Sequence, residues 1–398
     1  MNVIFISPNF PQTYRHFCAG LREGGATVLG IGDAPYDDLL PDLKDSLTEY
    51  YKVSDLSCYD ELFRAVAGFS SKYGKIDWLE SNNEAWLESD ARLRTDFNIT
   101  TGVNDRGIRP FKSKAVQKTY YAKAGVPTAR QHKVSDIAAA REFIKGTGYP
   151  VFVKPEVGVG AAASYKIGDE AELERFFSAK PGVPYVMEEF VTGDIFSYDA
   201  IVDSRGRPLF ESCTRFPPSM ADIANNNLDC LYYVLPDVPA QLRERGRATV
   251  KAFKVRSRFV HLEFFRLASD RPGLGKKGDF VGLETNMRPA GGYTPDMMNH
   301  AHATDVYRIW ADMVTRDRRV LEGNQGGDHY CVWYGRRVAR KYAHGHDEVM
   351  ARYGSRMAMQ GRMPDVLSSD LGEVFYMIHA YSEAELEEFR QYLSETAS

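Results

Sequence analysis

Apolar positions along the chain follow two periods. Compact runs at Asn2 to Ser7, Thr27 to Ile31 and Ile76 to Glu80 read as strands, whereas Tyr14, Phe17, Cys18 and Leu21 recur at helical spacing within Thr13 to Glu23. Tyr59 to Tyr73 and Glu84 to Phe97 carry two further helical patterns. Strand, helix, strand order predicts a parallel sheet with right-handed crossovers, forming a small α/β unit that ends near Thr101. Its first loop, Ser7 to Gln12, has no G-x-G-x-x-G, so a dinucleotide fingerprint is absent. Gly102 to Phe111 is polar and contains glycine, and it reads as a linker.

Beyond the linker, helical patterns over Ser113 to Lys123, Asp136 to Lys145 and Glu170 to Phe177 alternate with strand patterns over Gln131 to Val134, Tyr149 to Pro155, Ser164 to Ile167 and Pro184 to Val191. Asp199 to Val202 and Pro208 to Cys213 predict a hairpin across Ser204 to Arg207, and Thr214 to Asn227 reads as irregular. A helix over Pro239 to Phe253 leads to two strands, Phe259 to Phe265 and Phe280 to Pro289, that predict a hairpin across Arg271 to Lys277. Thr294 to Val314 reads as one long helix from a Thr-Pro start. The last segment alternates strand (Tyr330 to Tyr334), helix (His346 to Tyr353), strand (Glu373 to Ala380) and helix (Glu383 to Leu393). The expectation is a mixed α/β and α+β chain of three parts, 1–101, 102–328 with a subdomain at 126–193, and 329–398.

Composition narrows the setting. A hydrophobic fraction of 43%, a charged fraction of 26% and a formal net charge of -4 are ordinary for a soluble globular protein, and no basic block favours nucleic acid or an anionic membrane. The 5 cysteines are scattered without a C-x-x-C, which argues against a disulfide framework or structural zinc. The short apolar run at the N-terminus lacks a leading positive charge and is followed by Pro8, and no run approaches the roughly 18 residues of a membrane span. A cytoplasmic protein is expected.

Candidate chemistry concentrates in the Phe259 to Pro295 stretch. Glu284 and Asn286 are two residues apart on a strand, so they project from one face with Arg288 next along it. If the hairpin pairs as predicted, Glu263 lies opposite Glu284, where like charges repel unless a cation offsets them. Magnesium, which takes carboxylate, amide and phosphate oxygens, is the expected cation. Lys154 ends an apolar strand and calls for an anion. The small residues from Gly158 to Ser164 let backbone N–H groups approach phosphate closely, although no G-x-x-x-x-G-K-[ST] is present. Glu188 and Glu189 interrupt an apolar strand where backbone atoms can meet an adenine edge. Three further residues are candidate substrate contacts: Glu84 at a strand tip, His261 beside Glu263, and Arg215 in the irregular segment. His300 and His302 point apart and are not expected to bind metal.

Taken together these motifs resemble the ATP-grasp superfamily, and more closely its carboxylate-amine ligase and biotin carboxylase-like branches. The resemblance covers most of the chain. It implies an N-terminal Rossmann-like domain, an ATP-grasp domain and a small C-terminal α+β cap. It assigns Lys114 and Lys154 to ATP phosphates, Gly158, Gly160 and Ser164 to a covering loop, Glu188, Glu189 and Val191 to an adenine hinge, and Asp194 to the ribose. Glu263, Glu284 and Asn286 become ligands of two magnesium ions, and Arg288 with Lys154 becomes catalytic. Ser113 stands where the family usually has Asp, and Asp194 where Glu is common. The implied reaction activates a carboxylate as an acyl phosphate and joins it to an amine, an amino acid or small peptide, with release of ADP and phosphate. The alternatives are a bicarbonate-activating carboxylase and a non-catalytic ATP-binding module. The Met-Lys-Met biotin attachment motif is absent. Small molecules are the expected partners, with a homodimer as the default assembly.

Overall fold

A computed structural model describes residues 1–158, 163–180, 182–217, 223, 226–322 and 328–397. The first four strands, β1 (Asn2–Ile6), β2 (Thr27–Gly32), β3 (Glu49–Lys52) and β4 (Trp78–Glu80), form a parallel sheet in the order β3-β2-β1-β4. The chain moves outward from β1 through β2 to β3 and then returns to β4 on the other side. The carboxyl ends of β1 and β4 therefore border a topological switch point, the usual place for a ligand crevice in such sheets. Just past those ends, Ser7 and Asn82 hold left-handed backbone with φ of 56° and 53°.

A second, antiparallel sheet is built from β5 (Gln131–Lys133), β6 (Val151–Pro155), β7 (Tyr165–Ile167) and β8 (Tyr185–Glu189), in the order β5-β8-β6-β7. The helices Ile137–Thr147 and Glu170–Ala179 cover it. Each starts at an aspartate, Asp136 or Asp169, whose side chain accepts a backbone N–H of the first turn. This layer has its own apolar core, with Val151, Val153, Leu173 and Met187 among its members.

The remaining strands form one large sheet: β9 (Gly193–Val202), β10 (Pro208–Ser212), β11 (Thr214–Phe216), β12 (Cys230–Val234), β13 (Arg258–Leu267), β14 (Phe280–Asn286), β15 (Tyr330–Arg336), β16 (Met357–Arg362) and β17 (Val374–Ala380). Its order is β14-β13-β9-β11-β12-β15-β17-β16, with β10 paired to β9. The expected hairpin forms between β13 and β14. Glu263 faces Glu284, His261 faces Asn286, and a register shift follows Glu263.

Several local expectations change. Thr214 to Phe216, expected to be irregular, is a strand between β9 and β12. β12 itself was not anticipated, because a fully buried run of five residues carries no polar alternation to identify it. The single helix expected over Thr294 to Val314 is two, Thr294–His302 and Val306–Arg316. Ala303 turns left-handed between them, and the Asn299 side chain accepts the Val306 N–H while Asp305 caps the second helix. The edge strand β16 is half-exposed and also lacked a clear apolar period.

The N-terminal unit and the large sheet share one core, in which Phe5 and Phe17 pack against Trp310 of the helix Val306–Arg316. Gly20 permits that packing, since a Cβ there would lie 3.0 Å from the Ala311 Cβ. This shared core holds the crevice of the parallel sheet against the end of β14.

Candidate active site

Two lysines four residues apart begin the site. The helix Lys114–Lys123 opens at Ser113, whose hydroxyl accepts the Val116 N–H and donates to Glu156 Oε1 at 2.7 Å. Lys114 and Lys118 share one helix face. Lys114 Nζ lies 2.9 Å from Glu284 Oε1 and donates to the Gly158 carbonyl at 3.3 Å. Lys118 Nζ lies 2.8 Å from Glu188 Oε1, and Lys154 Nζ, from the end of β6, lies 3.1 Å from Glu188 Oε2. Glu188 thus holds an ammonium on each oxygen. Burial pushes its pKa up, but the two lysines win and hold it at about 2. Burial, with the neighbouring Lys154 charge, outweighs Glu188 and holds the Lys118 pKa below its ordinary value. For Lys154, burial lowers the pKa, and Glu188, Glu284 and Glu263 more than restore it.

The β13/β14 hairpin supplies the facing wall. Glu263 and Glu284 keep 26% and 23% of their side-chain surface, whereas Asn286 is buried. Gly282 lets β14 lie against the helix Lys114–Lys123, because a Cβ there would come within 2.6 Å of the Tyr121 ring. Gln117 then accepts the Thr285 N–H and donates to the Thr285 carbonyl, locking the strand's position. His261 bridges Asp199 Oδ1 at 2.7 Å and Glu263 Oε1 at 3.1 Å. Burial would lower its pKa, but Asp199 and then Glu263 push it up to about 9. As an imidazolium it donates on both sides, and it has no lone pair with which to accept a proton from an amine. Burial raises the Glu263 pKa, but the His261, Arg288 and Lys154 charges bring it below the usual carboxylate range.

Arg288 closes the end of β14. Its Nε lies 3.6 Å from Glu84 Oε2, and Glu84 Oε1 is 2.7 Å from Lys112 Nζ. The other expected residues are placed less centrally. Glu189 turns to the opposite face of β8 from Glu188, where Arg130 Nε and Nη2 reach it at 3.1 and 2.9 Å. Asp194 and Arg215, expected to meet ribose and substrate separately, pair with each other at 2.6 Å, and Arg215 also donates to the Tyr233 hydroxyl. Val191 is buried after β8. Gly158 and Ser164 flank the segment 159–162, and Gly160 lies outside the described residues, as do parts of 214–227.

Lys118 and Asp199 were missed by sequence reasoning. The spacing of Lys118 from Lys114 was the available signal; Asp199 had only its alternation with Ser197 along β9. Among the described residues, no group of three or more His, Cys, Asp or Glu side chains is arranged to hold a metal by itself. Two cavities, of about 300 Å³ against β7 and about 420 Å³ against β10, lie outside this cluster.

No protein-family model matches the chain. A curated relative, the L-arginine-specific L-amino acid ligase of Bacillus subtilis, is 25% identical over 252 residues, 60% of this chain and 57% of the relative. The chain therefore spans little more than half of that relative's length. The crystal structure of an L-amino acid ligase from Bacillus licheniformis superposes with a TM-score of 0.71 at 16% identity, covering 98% of this chain and 96% of that one. The biotin carboxylase domain dimer of the Hydrogenobacter thermophilus 2-oxoglutarate carboxylase, in complex with MgADP, ADP and bicarbonate, superposes with a TM-score of 0.66 at 16% identity, covering 98% and 88%. At these identities the likeness establishes the fold.

Proposed function

We propose that the chain is an ATP-dependent ligase of the ATP-grasp superfamily that activates a carboxylate as an acyl phosphate and joins it to an amine, an amino acid or small peptide, a reading supported by its full-length likeness in fold to an L-amino acid ligase and a biotin carboxylase domain. One observation carries the reading: Glu263 stands in register opposite Glu284 on a half-open wall, while Lys114 and Lys154 reach the same carboxylate cluster from two other elements.

In this reading ATP lies between the small antiparallel sheet and the β13/β14 wall. Lys114 and Lys154 hold its phosphates, and each leaves a carboxylate to do so. The release of Lys114 exposes Glu284, so phosphate binding and metal binding are linked. Glu263, Glu284 and Asn286 offer two carboxylates and an amide oxygen, a hard donor set that suits magnesium when phosphate oxygens complete the shell. Bound magnesium would neutralise phosphate charge. His261 fixes the orientation of Glu263 by donating to it, and Asp199 holds the imidazolium in place. Arg288 is a planar fork suited to an anionic substrate group. The substrate carboxylate oxygen attacks the γ-phosphorus, and the bond from phosphorus to the ADP oxygen breaks. The amine then displaces phosphate from the acyl carbon, giving the amide, with catalysis supplied mainly by positioning and charge. A homodimer is the proposed assembly.

The test is ADP release by the purified protein with MgATP against pooled amino acids, with mass spectrometry of the mixture. The expected result is ADP formation that requires both acid and amine, with a product mass one water below the sum of the two. The bicarbonate in the carboxylase complex above supports a second reading, bicarbonate activation. ADP release with bicarbonate and no amine would select it and overturn the ligase reading.

A further inference from the structure

Glu188, on β8, is 4% exposed and accepts from three other elements. Its Oε1 takes Lys118 Nζ at 2.8 Å and Gln131 Nε2 at 3.2 Å, and its Oε2 takes Lys154 Nζ at 3.1 Å. The two ammonium groups are not equivalent. Lys118 Nζ has a second anchor, the Ala129 carbonyl at 2.8 Å. Against the cost of burial, its charge is also the stronger of the two that keep Glu188 ionised. The Lys154 ammonium has only its contact with Glu188 among the described residues. After burial and Glu188, the carboxylates that act on it are Glu284 and Glu263 of the β13/β14 wall. One lysine is tied down, and the other stands between two sets of acids.

Stripping a buried carboxylate of its only counter-ion leaves an uncompensated charge and is strongly unfavourable. Taking one of two ammonium groups from Glu188 leaves a neutral, hydrogen-bonded pair instead. We propose that Lys118 is a positioning residue for nucleotide binding: it remains on Glu188 as the standing counter-ion, so that Lys154 is free to turn to a phosphate. The helix Lys114–Lys123 then carries two lysines of opposite behaviour one turn apart. Lys114, paired with the half-open Glu284, moves to the phosphates, whereas Lys118, paired with the closed Glu188, stays. Gln131 stays with it on the same oxygen. This role rests on the assignment of Lys154 to phosphate in the ligase reading, but it concerns binding and does not require turnover.

The experiment is titration calorimetry of the full chain with magnesium, using a non-hydrolysable ATP analogue and, separately, adenosine, which carries no phosphate. Lys118→Met should weaken the analogue by about tenfold or more, because Lys154 is then the only counter-ion of Glu188 and is held there. Adenosine should lose less than about threefold in the same variant, since no lysine has to move for it. Should Lys118→Met not fold, Lys118→Gln keeps a donor to Glu188 without the charge and carries the same expectation. In a Glu188→Gln background no buried carboxylate needs a counter-ion, so adding Lys118→Met should cost the analogue less than about threefold. An equal cost in both backgrounds would show that Lys118 acts without Glu188, and an equal loss of adenosine would make it a structural residue; either result overturns the proposal. Lys154→Ala separates the two levels. Weaker analogue binding in Lys154→Ala with none in Lys118→Met would overturn the role of Lys118 alone. Unchanged binding in Lys154→Ala would overturn the phosphate assignment of Lys154 and this proposal with it.

Discussion

Among the described residues, the buried charges around Glu80 and those around Glu284 are built differently. In the first, Glu80 is held by Arg258 at 2.7 Å and Arg94 at 3.1 Å, with every side chain at 3% exposure or less. Arg94 spends further donors on the Leu79 and Val103 carbonyls, and Arg258 on the Met287 carbonyl. In the second, Lys114 pairs with Glu284, Lys154 with Glu188 and His261 with Glu263, along a wall whose two carboxylates, Glu263 and Glu284, keep about a quarter of their surface. Buried charge is therefore not by itself the mark of a site. The closed cluster ties the β4 end to the residue preceding Arg288, with its side chains almost wholly buried. In the proposed reading the open cluster is the one whose ion pairs a nucleotide and a cation would replace.

The sharpest way to break this comparison is to remove one charge from each cluster. Glu284→Gln should abolish ADP formation, by a thousandfold or more, while its melting temperature stays within a few degrees of wild type. Unchanged turnover in that variant would remove Glu284 from the site. Lys154→Ala should raise the ATP concentration needed for half-maximal rate by about ten- to hundredfold, the equivalent of one charged hydrogen bond. An unchanged ATP dependence would place the phosphates elsewhere. Glu80→Gln should act in the opposite sense, destabilising the fold by about 3–5 kcal/mol in denaturant unfolding, since it leaves two buried guanidinium groups short of a counter-charge. If this variant lost activity at full stability, the closed cluster would belong to the site and the distinction would fail.

The most gradual effect concerns pH. Burial, and then the neighbouring Glu80 charge, push the Asp90 pKa up to about 7 from an ordinary 3.8. The folded state therefore keeps a proton that the unfolded chain releases near pH 4. The stability that this group contributes is complete below about pH 4 and is lost as the pH rises toward 7. Asp90→Asn should remove that decline, by up to about 1.4 kcal/mol per pH unit for one proton. Urea titrations at pH 4.5, 5.5 and 6.5 measure it, and equal slopes in variant and wild type would reassign the proton.

Element types were largely legible in the sequence wherever a period was present. Alternation put Glu284 and Asn286 on one strand face and Lys154 at a strand end, and it allowed Glu263 to lie opposite Glu284 if the hairpin paired; the register itself, with its shift after Glu263, came from the structure. Legibility failed where the period was silent. β12 is apolar on both faces, β11 is three residues long, and the break at Ala303 depends on capping by Asn299 and Asp305 that no apolar spacing records.

The residues by themselves determined which groups share a strand face or a helix face, because those relations follow from periods of 2.0 and 3.6. Only the tertiary structure decided which faces meet. It placed Lys118 on Glu188, Asp199 under His261 and Asp194 on Arg215, each pair brought together from different elements. It also separated the closed charge cluster from the open one. Charge and hydropathy along a chain are the same for a buried carboxylate locked by two guanidinium groups and for one left within reach of a ligand. The difference lies in the desolvation and pairing of each atom, which exist only once the chain has packed.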